Sequence, residues 1–153
     1  MPVSVGVNFM SVVHEGSGGV TVVFPDVCKT PAAPAPPIPV PYPNVARSAD
    51  AAKTARSVQA DGHPLCTKGS CFRTSTGDEA GTLGGVASST TKGQARFVNY
   101  ALDVQVEGKP VPRALDLMLH NDQNAPPTPL GQGPVVALPR TEPPLCPICE
   151  QPL

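Results

Sequence analysis

The chain has 153 residues, of which 40% are hydrophobic and 15% charged, with a formal net charge of −1. That length fits one domain with a modest core, and the excess of apolar over charged residues excludes a disordered chain. A near-neutral charge with scattered basic residues also argues against nucleic-acid binding by this domain.

The 21 prolines and 14 glycines leave few windows long enough for a helix, so the expected fold is mostly β, turn-rich and built from short strands. No run of about 18 apolar residues occurs, which leaves no membrane-spanning helix. The start, Met1-Pro2-Val3-Ser4-Val5-Gly6, has neither a basic nor an apolar signal region, so no secretory leader is expected. Five cysteines, an odd number, point to a reducing compartment with thiols free or on metal.

In chain order, Val12-Val13 and Val20–Phe24 read as strands around the turn signal His14–Gly19. Residues 31–43 hold seven prolines in thirteen residues and must be extended. Ile38, Val40 and Tyr42 alternate with them, which predicts a packed edge segment over a free linker. Ser48–Ser57 is the one helix candidate, and it lacks an apolar stripe beyond alanine, so it predicts a short surface turn at best.

An internal repeat follows. Val58-Gln59-Ala60-Asp61-Gly62-His63-Pro64-Leu65 matches Val104-Gln105-Val106-Glu107-Gly108-Lys109-Pro110-Val111, an offset of 46. Each copy reads as strand, acidic-Gly turn, and a second strand, because Gly relieves left-handed strain in a two-residue hairpin. Thr76–Gly85 is a glycine-dense loop, in which Asp78-Glu79 reads as solvated. Residues 95–102 form a strand feeding the second copy, and from Asn121 the chain is Pro-rich and irregular.

No GxSxG elbow, phosphate-binding glycine loop or HExxH is present, so no enzyme is expected in this chain. Metal is a better case, with His14, Cys28, His63, Cys66, Cys71, His120, Cys146 and Cys149 as donors to choose from. Cys66 and Cys71 read as two small buried side chains, whereas the CxxC of Cys146 and Cys149 has zinc-pair spacing.

Taken together, His14…Ser17-Gly18-Gly19, Phe24-Pro25-Asp26-Val27-Cys28-Lys29-Thr30-Pro31, Pro41-Tyr42-Pro43-Asn44-Val45-Ala46, Ser75–Thr82 and Glu107–Val111 with Arg113, Asp116, His120 and Asn121 resemble the PAAR-like family of type VI secretion spike tips. The resemblance runs over roughly residues 10 to 124, in order. It implies a small cone of short β-strands around a pseudo-threefold axis. The base of the cone docks on a trimeric valine-glycine-repeat spike protein, one tip per trimer, and its apex is pinned by zinc. Cys28 and His120, with His14 as a third ligand, fall within the matching motifs; Val111–Asp116 lacks the histidine that would supply a fourth. The implied role is to sharpen the spike, contact the target membrane transiently and deliver a fused or bound toxin with its adaptor. The alternative is the delivery domain of a zinc-dependent toxin, such as a nuclease, whose catalytic part lies beyond Leu153. Such a protein waits in the bacterial cytoplasm and leaves on the spike without a signal peptide. The expected organisation is a tip domain over 1–124 and a loosely packed Pro-rich tail over 125–153, with the CxxC belonging to a following toxin domain. A generic zinc-stabilised interaction module with a Pro-rich arm is the third reading.

Overall fold

The computed structural model of the protein describes residues 3–133. Among them the chain forms thirteen strands and a single turn of 3-10 helix, so the fold is mostly β and turn-rich with little helix. In order these are β1 (Gly6–Val7), β2 (Met10–Ser11), β3 (Val20–Ala32) and β4 (Ala35–Arg47), followed by the 3-10 turn at Ser48–Asp50. Then come β5 (Ala51–Ala52), β6 (Gln59–Ala60), β7 (His63–Pro64), β8 (Cys71–Phe72), β9 (Ala95–Phe97), β10 (Gln105–Val106), β11 (Lys109–Pro110), β12 (Leu117–Leu119) and β13 (Thr128–Pro129).

The repeat is present as two tight hairpins, β6–β7 and β10–β11, and a third of the same build precedes them, β1–β2. Their central residues pair as Val7↔Met10, Ala60↔His63 and Val106↔Lys109. All three turns place two successive residues at positive φ: Asn8 and Phe9 (51° and 65°), Asp61 and Gly62 (52° and 79°), Glu107 and Gly108 (54° and 76°). That is the type I′ geometry whose twist matches the flanking strands. Each hairpin is closed by one further bond, from Val12, Leu65 and Val111 N–H to the carbonyls of Val5, Val58 and Val104. Each is followed by the same capped turn, in which Ser17, Ser70 or Asp116 accepts from the backbone N–H three residues earlier. Val7, Val12, Ala60, Leu65 and Val111, with Val58, Val104 and Val106 against them, form one core from the three hairpins.

The hairpins also join head to tail. Asn8, in the first turn, donates to Asp103 just before the third hairpin. Asp61, in the second turn, accepts from Ser4 just before the first. Glu107, in the third turn, accepts from Arg56 and Ser57 just before the second.

The proline-rich stretch is a paired strand whose partner is β3, and together they make a long two-stranded ribbon. Val40 and Tyr42 are half-buried, whereas Ile38 and its neighbours 35–39 are exposed, so the expected packing face is only partly formed. Asn44, Tyr42, Val40 and Ile38 pair with β3, while Val45 bonds outward to Thr76. Backbone groups alternate along an antiparallel strand, so Pro37, Pro39, Pro41 and Pro43 occupy the positions whose nitrogen faces away from β3. No ladder bond is lost, because the missing N–H would have had no partner. Opposite Pro43 the register shifts, with Phe24 and Pro25 facing one residue. Such a bulge re-aims the side chains that follow it. Asp26 and Cys28 thereby turn inward and are fully buried.

A five-stranded antiparallel sheet, in the order β13-β12-β9-β8-β5, covers a second core of Val13, Ala46, Cys66, Phe72, Ala95, Phe97, Met118 and Leu130. Phe72 and Phe97 meet edge to face at 5.8 Å. Burying Met118 or Leu130 contributes on the order of 1.5–3 kcal/mol each.

Residues 125–133 depart from the loosely packed tail expected of them. β13 pairs with β12, Leu130 is fully buried, and Gln132 bonds Ser11, Val12 and Ser17. The prolines at 126, 127 and 129 misled because an edge strand needs few donors on its outer side. Pro134 to Leu153, including Cys146 and Cys149, lie outside the described residues.

Candidate functional site

The bulge in β3 brings Asp26 and Cys28 to a point that the glycine-rich loop also reaches. Asp78, expected to be solvated, is instead fully buried there. Its neighbour Glu79 stays exposed and accepts the N–H of Gly77 at 2.9 Å. The glycines explain the difference: they allow close approach rather than solvation. A Cβ on Gly77, which has φ +139°, would collide with the Pro43 carbonyl, and one on Gly81 would collide with Cβ of Cys28.

Asp26, Cys28 and Asp78 each offer a donor atom within 4.8 Å of the other two. Sγ of Cys28 lies 3.6 Å from Asp78 Oδ2 and 3.9 Å from Asp26 Oδ1. Neutral donors surround the carboxylates. Asn44 and Asn124 donate to Asp26, while Asn121 (2.9 Å) and the Lys92 N–H (3.1 and 3.2 Å) donate to Asp78. Burial raises the Asp26 carboxyl above its ordinary range, opposed by the Asn124 bond and assisted by the Asp78 charge. Burial, with the charges of Asp26 and Asp78, pushes the Cys28 thiol up to about 12. A thiol so protonated and enclosed is no nucleophile, and the arrangement is not that of a catalytic centre. It is a buried Asp/Cys/Asp cluster able to coordinate a metal ion.

The other expected ligands lie in different surroundings. His120 is fully buried, with Nε2 3.1 Å from Thr21 Oγ1, which lies 3.0 Å from Thr128 Oγ1, while Nδ1 has no partner. Burial pushes its pKa down to about 4. His14 accepts the Gly16 N–H on Nδ1 at 3.1 Å, so Nε2 is the donor to Asp61, 3.2 Å away; its ring stacks on His63 at 5.2 Å. Cys66 and Cys71 are buried on either side of the Thr67–Ser70 turn, in the manner of small apolar residues.

Sequence reasoning missed Asp26 and Asp78 as donors, and Asn44, Asn121 and Asn124 as their partners. All but Asn124 stand in the motif segments that carry the resemblance. Those segments, far apart in sequence, meet at one buried network, and that convergence was the signal.

A family model described as the toxin PAAR-like domain matches residues 19–127. The chain is 36% identical over 126 residues to the DNase toxin Tse7 of Pseudomonas aeruginosa, a match that covers 78% of this chain and 33% of that protein. The chain thus spans about a third of the length of the curated relative it matches. No solved structure matches.

Proposed function

The chain belongs to the toxin PAAR-like domain family, and from that premise we propose that it is the delivery portion of a toxin carried on a type VI secretion spike. The toxic activity would reside elsewhere in the longer protein, and the name of the DNase relative supports DNA as its target. The tip itself would sharpen the spike and touch the target membrane only in passing. Assembly would take place in the bacterial cytoplasm before firing.

The observation that carries this reading is the head-to-tail joining of the three hairpins. Asn8 reaches Asp103, Asp61 reaches Ser4 and Glu107 reaches Ser57; each contacted residue stands immediately before the valine that opens its hairpin. Three like units closed in a cycle support a pseudo-threefold arrangement within one chain, and a cone built on it. Such a face suits three identical subunits, and hence a trimeric valine-glycine-repeat spike protein. The tip would reach at least Gln132, whose side chain bonds Ser11, Val12 and Ser17, and Cys146 and Cys149 would belong to a following toxin portion. The metal reading is carried forward at Cys28, where zinc suits a thiolate beside carboxylates.

Light scattering on the chain mixed with a purified trimeric spike protein tests the partner. One chain per trimer is expected; three chains per trimer, or no complex, would sink the reading. Plasmid cleavage by the purified 153-residue chain would overturn the assignment of toxicity to another part of the protein.

A further inference from the structure

We propose that Phe9 and Leu102 are the apolar anchor by which the hairpin-turn face grips an apolar recess on one subunit of a trimeric spike. The partner's identity rests on the spike-tip reading; the face and the two residues rest on the geometry.

Strain comes first. The three type I′ turns are equivalent, and their second positions hold Phe9, Gly62 and Gly108. Glycine takes positive φ freely, whereas a residue with a side chain is strained there, and φ is 65° at Phe9. Packing does not explain the exception, because Phe9 is 67% exposed. A strained residue that contributes so little burial points to a task outside the fold.

Position comes second. Two residues before the valine that opens each hairpin stand Val3, Arg56 and Leu102. Val3 is buried, whereas Leu102 is 99% exposed. Among the described residues, Leu102 and Phe9 are the two most exposed large hydrophobic side chains. They flank one join: Asn8, next to Phe9, donates to Asp103, next to Leu102, at 3.0 and 3.2 Å. Arg113 braces that join, donating to Asn8 at 2.9 Å while Asp116 accepts from its guanidinium at 3.1 and 3.2 Å. Leu102 lines a hollow together with Asn8, Asp103 and Arg113. Apolar side chains set on a braced frame lose little freedom on docking, which is the condition for a strong anchor.

The cycle of hairpins then narrows the contact. At the other two joins the equivalent pairs are Gly62 with the buried Val3, and Gly108 with Arg56, and neither offers an exposed apolar side chain. A face that fits three identical subunits by its repeat would therefore hold only one of them by an apolar contact.

Affinity for a purified trimeric valine-glycine-repeat spike protein, measured by biolayer interferometry on the full chain beside thermal melts, tests the anchor. Phe9→Gly should melt no lower than the parent yet bind roughly 30-fold or more weakly, the opposite of what a purely structural role gives. Leu102→Ser should melt as the parent does and bind at least about 10-fold more weakly. Ile38→Ser, exposed on the ribbon, should bind as the parent does. Parent-like affinity in both Phe9→Gly and Leu102→Ser overturns the proposal, as does an equal loss in Ile38→Ser. If the parent alone is a dimer that Leu102→Ser dissociates, the two residues make a self-contact and the proposal also falls. A parent that binds one per trimer while both variants keep full affinity removes only the anchor, whereas a parent that binds no trimer removes the spike-tip reading with it.

Discussion

Acidification should weaken the fold through His120. The imidazole is fully buried, with Nε2 3.1 Å from Thr21 Oγ1, which lies 3.0 Å from Thr128 Oγ1. Protonation would place a charge on the ring and a second N–H at Nδ1, which has no acceptor. Hence the folded-state pKa falls to about 4 from an unfolded value of 6.5. The unfolded chain therefore binds the extra proton more readily between those two values, and stability must rise with pH across that window. The benefit is fully present above pH 6.5 and is lost as the pH falls toward 4. The whole shift corresponds to about 3 kcal/mol, of which about 2 kcal/mol is lost between pH 7 and pH 4.5. Asp26 works in the opposite sense, because its raised carboxyl pKa favours the folded state as the pH falls. Urea unfolding at pH 7 and pH 4.5, on the parent and on His120→Gln, isolates the imidazole, since glutamine does not titrate in this range. The parent should lose about 2 kcal/mol more than the variant on acidification. Equal losses in the two proteins would refute the reasoning.

Three other changes test the hairpins and the loop. Phe9 holds φ 65° while 67% exposed, so Phe9→Gly should stabilise by about 1 kcal/mol in thermal melts, because left-handed strain is relieved at little loss of burial. No gain would show the turn to be relaxed. Gly81→Ala drives a methyl into Cys28 and should cost about 1–3 kcal/mol by the same measurement, whereas Gly108→Ala meets no atom and should cost only its backbone strain. Glu107→Ala removes the acceptor for Arg56 and Ser57, and faster hydrogen exchange in β6 and β7 is expected; unchanged exchange there would show the join to be idle. Serine and backbone bonds hold the Glu107 carboxyl below its ordinary range, so this join should loosen as the pH falls through that lowered value.

How much of this was legible in the sequence depended on how local the cause was. The hairpins at Asp61-Gly62 and Glu107-Gly108 could be read because the turn chemistry sits in adjacent residues. Their third counterpart could not, since Asn8-Phe9 gives the same backbone with a residue that rarely adopts it. The prolines of β4 could be read as extended but not as paired, because which nitrogens face outward depends on the register with β3. Asp78 was misread for a similar reason. Gly77 and Gly81 look like solvent-facing flexibility until the chain they crowd against, Pro43 and Cys28, is known. Cys28 was found as a donor, but its companions were set by a bulge at Phe24-Pro25 that no periodicity predicts.

The run of prolines along β4 has a consequence for how the molecule behaves in company. A two-stranded ribbon carrying Ile38, Phe24 and Val22 at half exposure or more would ordinarily recruit a neighbour's strand and grow into a polymer. Along Pro37–Pro43 the outer margin can accept hydrogen bonds but cannot donate them, so an incoming strand finds half of every rung missing. Many exposed edges achieve this with lysines; here the barrier is covalent and independent of salt and pH. The rest of the ribbon is covered, β3 by Gly84, Val86 and Gly131 and the end of β4 by Thr76, so a chain with a net charge of −1 needs only this proline edge to resist self-association there.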